Sequence, residues 1–490
     1  MPKLRTAILW IRNDFRLDDN EALCLGTEYD QLIPVFVASD AELPFKRGRA
    51  SKWWLHHTLE SFKKNLGKLD SDLILLKGNA ERAVLQLAKD FNAEAILWNR
   101  SYNPYESELV GELIERANHM GVKTRACKGN ILCEKEFLLK DDGTPYRVYS
   151  AFWRNFVKKY EIKVLGRPNH MPPLPPKAKH QSLSLNQLEL LPRIKWDAEF
   201  PEYWQVGEER AKEKVKAFLQ SGVDRYNDLR DQPNKDGTSR LSPHLHFGEI
   251  HPQRILQMIV NKFGSLSGLV DMNIIQYSKE ILWREFSYHL LQHFPQTTHM
   301  PLNLAFENFP DRYDEGFLQA WSKGNTGYPI VDAGMRQLWR TGWMHNRVRM
   351  ITASFLIKHL GINWQHGAAW FWDTLVDADL ASNTQGWQWT AGCGADAAPF
   401  FRIFNPITQG EKFDPKGLYA AEWCPELQKI PSKWIYRPWD APAAELKKAG
   451  VQLGADYPFP IVDHREAREK TLETYKNFKE KRKQKKGSSQ

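Results

Sequence analysis

A chain of 490 residues is longer than one hydrophobic core usually supports, so two domains or more are expected. A hydrophobic share of 42 % with 12 % aromatic residues excludes a disordered chain; of the 19 tryptophans most read as core packing, but the group at 364, 370, 372, 387 and 389 is more than packing alone requires. The net charge of +9 is not spread over the chain: Lys476 to Lys486 holds seven basic residues and one acidic, which is six of the nine. Such a run reads as a solvated basic tail, and any nucleic-acid footprint has to come from local patches in the folded body.

In chain order, residues 6–11, 32–37, 73–76 and 95–98 are short continuous apolar runs, the pattern of strands buried on both faces of a parallel sheet. Helical patterns such as Ala50–Leu69 and Glu81–Phe91 separate them, which predicts a doubly wound α/β domain over 1–130. No GxGxxG or GxxxxGK[ST] occurs in it, so ordinary dinucleotide or phosphate-loop binding is not supported. Proline, lysine and serine dominate 166–192, an ordered or semi-rigid connector within an interdomain linker over 131–204. From 205 to 475 helical periodicity takes over and predicts an all-helical domain, with the basic tail at 476–490. The five cysteines form no CxxC pair or disulfide framework, no apolar stretch approaches ~18 residues, and the N-terminal run is too interrupted for a signal peptide. A reducing, cytoplasmic setting without a membrane span is the expectation.

Four constellations in the helical part carry chemistry. Tyr226 precedes Arg230-Asp231-x-Pro233 and then Gly237-Thr238-Ser239-Arg240-Leu241-Ser242-Pro243, with Ser242 read as a helix N-cap and Pro243 as the first helical residue. Such a start suits a phosphate or pyrophosphate, and equally a plain capped turn. In Glu280-Ile-Leu-Trp283-Arg284-Glu285-Phe286, positions 280, 283 and 284 share a helix face. Carboxylate and indole there can bind the edge and the plane of a pyrimidine; alternatively Glu280 and Arg284 form a surface pair beside an incidental indole. Within Trp343–Met350, Asn346 and Met350 lie one turn apart and face one ligand, while Arg347 and Arg349 project elsewhere. Asp377-Ala-Asp379-Leu-Ala-Ser-Asn383 places two carboxylates and an amide between WFWDTLV and GWQW, where burial without partners is unfavourable. This mixture of indoles, Arg and Asp over Gly327–Asp414 points to a polar cofactor inside an aromatic shell.

These runs, with IRNDFRLDDN at 11–20 and GADAAPFFRIFNPITQGEKFDP at 394–415, resemble the DNA photolyase/cryptochrome family over nearly the whole chain. WFWDTLVDAD and the 394–415 run are most similar to the bacterial cyclobutane-dimer photolyases nearest plant cryptochromes (class III). The resemblance implies an N-terminal antenna-binding α/β domain and a helical FAD-binding catalytic domain. It assigns Thr238, Ser239, Leu241 and Ser242, with Tyr226 upstream, to the flavin diphosphate, and Arg284 to the flavin phosphates. Asp377 is implied to pair with Arg349, Asp379 to bond the ribityl or ring side, and Asn383 to face flavin N5. An amide at 383, where plant cryptochromes carry Asp, fits fully reduced FAD; Asn346, where photolyases of (6-4) products carry His, argues for cyclobutane dimers.

Glu280, Asn346 and Met350 are then the residues that meet a flipped-out dimer. Trp283 and Trp389 stack on it, and Arg347 lies at the pocket rim or on the DNA backbone. Trp387 and Trp364 match the first two members of the family's electron relay. Its third member falls on Asp311, so the relay ends there or is rerouted through Tyr313 or Trp321. A reduced folate antenna (5,10-methenyltetrahydrofolate), with Glu106 as a contact, is implied, and a deazaflavin is the alternative. The expected partner is DNA containing pyrimidine dimers, bound by a monomer in the cytoplasm with the bacterial nucleoid, without a metal. The expected activity is light-driven repair by electron transfer from reduced FAD. Its rivals are a cryptochrome-type photoreceptor that repairs nothing and a generic flavoprotein oxidoreductase, for which no nicotinamide site is evident.

Overall fold

A computed structural model describes residues 4–39 and 45–487, in two compact units interleaved along the chain. The first takes in Met1–Asp224, Ser239–Pro295 and Val376–Leu380; the second takes in Arg225–Thr238, Gln296–Leu375 and Ala381–Gln490. These limits do not coincide with boundaries at 130 and 205.

In the first unit, strands β1 (Thr6–Ile11), β2 (Gln31–Ala38), β3 (Ile74–Lys77), β4 (Ala95–Asn99) and β5 (Lys123–Cys127) form one parallel sheet in the order β3-β2-β1-β4-β5. Helices α1 (Glu21–Gly26), α2 (Arg49–Gly67), α3 (Ala80–Asp90) and α4 (Pro104–His119) make the crossovers. The side chains of Asn20, Asn79 and Asn103 cap α1, α3 and α4 by accepting from backbone N–H groups. Four strands coincide with the apolar runs, which gives the doubly wound fold expected. The fifth, KTRAC, has no such run, because it is an edge strand whose Lys123 and Arg125 are exposed.

Ile8, Trp10, Ile33, Val35, Ile96 and Trp98 pack with Val84 and Leu87 of α3 and Leu113 and Ala117 of α4. The proline-rich connector belongs to this core: Leu174 and Ala178 are buried in it, and Leu183 donates its N–H to Leu75 O. Buried carboxylates fasten distant segments of the unit. Glu208 accepts from the N–H groups of Leu17 and Asp18, and Glu285 from those of Leu132 and Cys133. Glu249 accepts from Trp54 Nε1 and Thr58 Oγ1 and contacts the His244 ring.

Among the described residues of the second unit, every named element is a helix, joined by turns and loops. Asp332 accepts from Thr326 N, Thr326 Oγ1, Gly327 N and Tyr457 Oη. Asp414 accepts from Leu418, Tyr419 and Ala420 N and from Tyr436 Oη. Both lie in or beside the Gly327–Asp414 run, so part of its polar content serves the fold rather than a ligand. The basic run from Lys476 is not a loose tail: the last helix, His464–Gly487, continues through it.

Lys358 is 1 % exposed and donates to Arg402 O at 2.9 Å. Burial, with Arg402 adding repulsion, pushes its ammonium down to about 8 from the ordinary 10.5. Between these values the unfolded chain binds more protons than the folded one, so stability rises with pH across the window and is level below it. Lys358→Met is expected to abolish that rise, so urea midpoints measured from pH 7 to 10.5 should climb in the parent and stay level in the variant. An equal climb in both would show that another group is responsible.

Candidate functional site

Within the first unit, Ser242 opens the short helix Ser242–His246, and Leu241 before it already has helical angles (φ −89°, ψ −4°). Ser242 is therefore not the N-cap expected from the Ser-Pro pair. Its hydroxyl instead donates to Asp377 Oδ2 at 2.6 Å, joining two of the predicted residues. Burial pushes the Tyr277 hydroxyl up to about 12, with Ser239 pulling the other way.

Arg284, on the helix Met272–His293, donates to Asn130 O at 2.9 Å and Leu245 O at 3.5 Å, with its guanidinium 4.7 Å from the Tyr288 ring. Tyr288 donates to Asp379 Oδ2, and His246 Nδ1 lies 3.7 Å from the same oxygen. Burial works to raise the Asp379 carboxyl, but His246, Arg284 and Tyr288 together hold it well below the usual carboxylate range. Asp379 is thus a buried anion that can accept a hydrogen bond from a ligand. Glu280 accepts from Gln276, one turn back, at 2.7 Å. Trp283 is stacked face to face on Tyr149, with centroids 3.7 Å apart and planes at 11°, so a base could use only its other face.

Glu106, in the first turn of α4, pairs with Arg12 at 3.3 Å, and Arg12 also donates to Asn99 O at the end of β4. Both sit at the carboxyl ends of β1 and β4, where the strand order reverses and doubly wound sheets take their ligands.

Within the second unit, Asn346 begins the helix Asn346–Lys358, capped by His345, and is exposed, whereas Met350 one turn on is half-buried. Arg347 does not project away from Met350 as expected: its Nη1 lies 3.7 Å from the Met350 sulfur. The guanidinium also binds both Asp231 oxygens, at 3.3 and 2.8 Å, and sits 4.5 Å from the Phe413 ring. It is a paired, stacked group rather than a free cation. Arg349 donates to Met344 O at 2.7 Å beside the Trp343 ring. Tyr226 is buried, with the Arg230 guanidinium over its ring, and Thr238 belongs to the same unit.

Asn383 donates Nδ2 to Ala368 O at 3.0 Å, so the Asn383 oxygen is the atom left to face a ligand. Trp387 is buried against Phe371, at 5.0 Å, and Trp321, at 6.2 Å. A Cβ on Gly367 would come within 2.0 Å of the Trp387 ring, which explains glycine there. Trp364 opens the helix Trp364–Thr374; its cap, Asn363, donates to Asp311 at 2.7 Å. Asp311 therefore lies at the start of the helix that carries Trp364. Tyr313 is 59 % exposed, with its ring 4.8 Å from His366 on that helix, whereas Trp321 is 0 % exposed. Trp389 is half-buried.

Sequence reasoning missed Tyr288, His246, Tyr149 and the role of Asp231. Tyr288 was findable, one turn beyond Arg284 on the same face. His246 and Tyr149 had no local signal, because only the tertiary fold brings them to Asp379 and Trp283. Among the described residues no cluster of His, Cys, Asp and Glu is arranged to hold a metal ion, and no helix is long and apolar enough to cross a membrane.

Residues 277–477 match the FAD binding domain of DNA photolyase, and residues 7–177 match DNA photolyase. The chain is 45 % identical over 482 residues to a deoxyribodipyrimidine photo-lyase of Agrobacterium fabrum, covering 96 % of this chain and 98 % of the relative. It is 34 % identical to cryptochrome-1 of Arabidopsis thaliana, covering 94 % of this chain and 69 % of that protein. The crystal structure of a bacterial class III photolyase from Agrobacterium tumefaciens superimposes with a TM-score of 0.92 at 44 % identity, over 98 % of this chain and 99 % of that one.

The depressed Asp379 gives a signed expectation. A carboxylate held below its ordinary 3.8 contributes stability that is present above that value and lost as pH falls through it. Asp379→Asn is expected to flatten the loss of stability below about pH 4, measured by chemical denaturation across the acid range. An unchanged acid limb would refute the pairing with His246, Arg284 and Tyr288.

Proposed function

The chain belongs to the DNA photolyase/cryptochrome family, and on that premise we propose that it splits cyclobutane pyrimidine dimers in DNA by light, with fully reduced FAD as its cofactor. The observation that carries this reading is the orientation of Asn383. Its amide nitrogen is held by Ala368 O, so its oxygen is set to accept from an N–H, which fits the protonated N5 of a reduced flavin. When bound and reduced, FAD supplies the light absorption and the electron that opens the cyclobutane ring; the electron returns, so there is no net redox change.

The chain's own residues bind and orient. Tyr226, Thr238, Ser239, Leu241, Ser242 and Arg284 are proposed to hold the flavin diphosphate. Arg349, Asp377 and Asp379 are proposed to hold the ribityl and ring side, with Asp379 kept ionised by its three partners. Glu280, Trp283, Trp389, Asn346 and Met350 are proposed to receive the dimer. A dimer is poorly stacked and mispaired, which lowers the few kcal/mol needed to flip it out. Arg347, paired with Asp231, is proposed to fix Met350 at the pocket rather than to clamp a phosphate.

Trp387 and Trp364 are proposed to begin the electron path to the surface, with Tyr313 as the exit in place of Asp311. Domain 1–130 is proposed to hold a 5,10-methenyltetrahydrofolate antenna near Glu106, with a deazaflavin as the alternative. Linker 131–204 connects it to the catalytic domain 205–475, which the run 476–490 follows.

Illumination of the protein with chemically reduced FAD and a dimer-containing oligonucleotide is expected to remove dimers. No loss of dimers with the flavin fully reduced would sink the repair reading in favour of a photoreceptor. Asn383→Asp would place a second negative charge beside the reduced flavin. Spectroelectrochemistry should show its two-electron potential lowered by about 30 mV or more, equivalent to about 1.4 kcal/mol. An unshifted potential would place residue 383 away from the flavin.

A further inference from the structure

The helix His464–Gly487 contains most of the excess positive charge of the chain, and one of its faces is already committed. Thr471 donates to Lys358 O, Tyr475 stacks on Phe400 at 4.8 Å, and Phe478 is buried against Phe309 at 5.0 Å and Phe306 at 5.7 Å. Arg482 lies over the Phe478 ring. Positions 471, 475, 478 and 482 recur at helical spacing and form one inward stripe, so the basic segment is held as a rigid helix.

Lys476, Lys479 and Lys483 lie on a different face, at i, i+3 and i+7. All three are exposed and form no ion pair with any described residue. They spread over about 10 Å of helix. Lys479 Nζ lies 5.5 Å from the centroid of the Tyr475 ring, a contact that leaves its charge unneutralised, and a row of lysines without a carboxylate partner calls for a polyanion. The aromatic side chains of the helix, Tyr475 and Phe478, face inward, so no broad apolar face is left to enter a lipid surface, which separates this helix from membrane-binding amphipathic ones. Duplex DNA offers one charge about every 1.7 Å of its axis.

We propose that Lys476, Lys479 and Lys483 form an auxiliary contact with the DNA backbone, independent of sequence and of damage. The choice of DNA as the polyanion rests on the repair reading above. Because the helix is held folded by its aromatic stripe, binding orders only the lysine side chains. The contact would raise affinity for damaged and undamaged duplex alike and leave discrimination to the lesion pocket.

The test compares the parent with the triple variant Lys476→Gln, Lys479→Gln, Lys483→Gln in the dark. Affinity for an undamaged duplex and for the same duplex carrying one dimer is measured by fluorescence anisotropy over a salt series. Each lost phosphate contact should reduce the slope of log K against log salt by about 0.9, so a fall of about 2 to 3, equal for both duplexes, is expected. A fall of less than about 1, or a loss confined to the damaged duplex, would overturn the proposal. Vesicles containing phosphatidylserine that bind the parent but not the variant, with the DNA slope unchanged, would overturn it in favour of a membrane. Glutamine keeps helix propensity at these exposed sites, and unchanged far-UV circular dichroism checks the fold. Repair at saturating DNA is expected to match the parent. A parent that binds duplex with the expected slope yet repairs nothing would sink the repair reading and leave this contact standing.

Discussion

Glu208, Glu249 and Glu285 in one unit, and Asp332 and Asp414 in the other, are buried carboxylates that each collect two or more donors. Removing such a group from water costs several kcal/mol, and only multiple well-placed donors offset that. Each acid therefore dictates where its partner segments must lie. Glu208 fixes a loop 190 residues earlier in the chain, and Glu285 fixes one about 150 residues earlier. Apolar packing gives the sheet and the helices their shapes; these acids decide which pieces of backbone sit together.

The same rule governs the residues assigned to chemistry. Asp379 stays ionised inside the protein because Tyr288, His246 and Arg284 converge on it, so a ligand meets a carboxylate whose charge is settled before binding. Arg347 shows the complementary case. Its guanidinium is satisfied by Asp231 along one edge, Phe413 on its face and the Met350 sulfur at its remaining nitrogen. Preorganised polar groups of this kind act on a reacting ligand without reorganising, which is where a protein that leaves its chemistry to a cofactor still contributes.

The doubly wound sheet was legible because strands buried on both faces must be apolar along their whole length, as TAILWI and AILW are. β5 was not, since KTRAC lies at an edge and keeps its charges in water. In the site, the residue types were legible and their partners were not. Ser242 reads as a cap beside Pro243, yet its hydroxyl is taken by Asp377 across 135 residues. The crowd of acids in Gly327–Asp414 reads as a cofactor shell, yet Asp332 and Asp414 serve neighbouring turns and helices. Local sequence records that a polar group will be buried; the identity of its partner is a property of the assembled chain.

The five residues Val376–Leu380 belong to the first unit although the chain on either side of them belongs to the second. No single cut in the gene would therefore release the first unit whole, and exchange of an N-terminal half between related genes would leave it without Asp377 and Asp379. During translation, at about 5–20 residues per second, Ser242 and Tyr288 leave the ribosome well before the carboxylates they bond. The first unit can be completed only when its last short strip arrives, embedded in the synthesis of its neighbour.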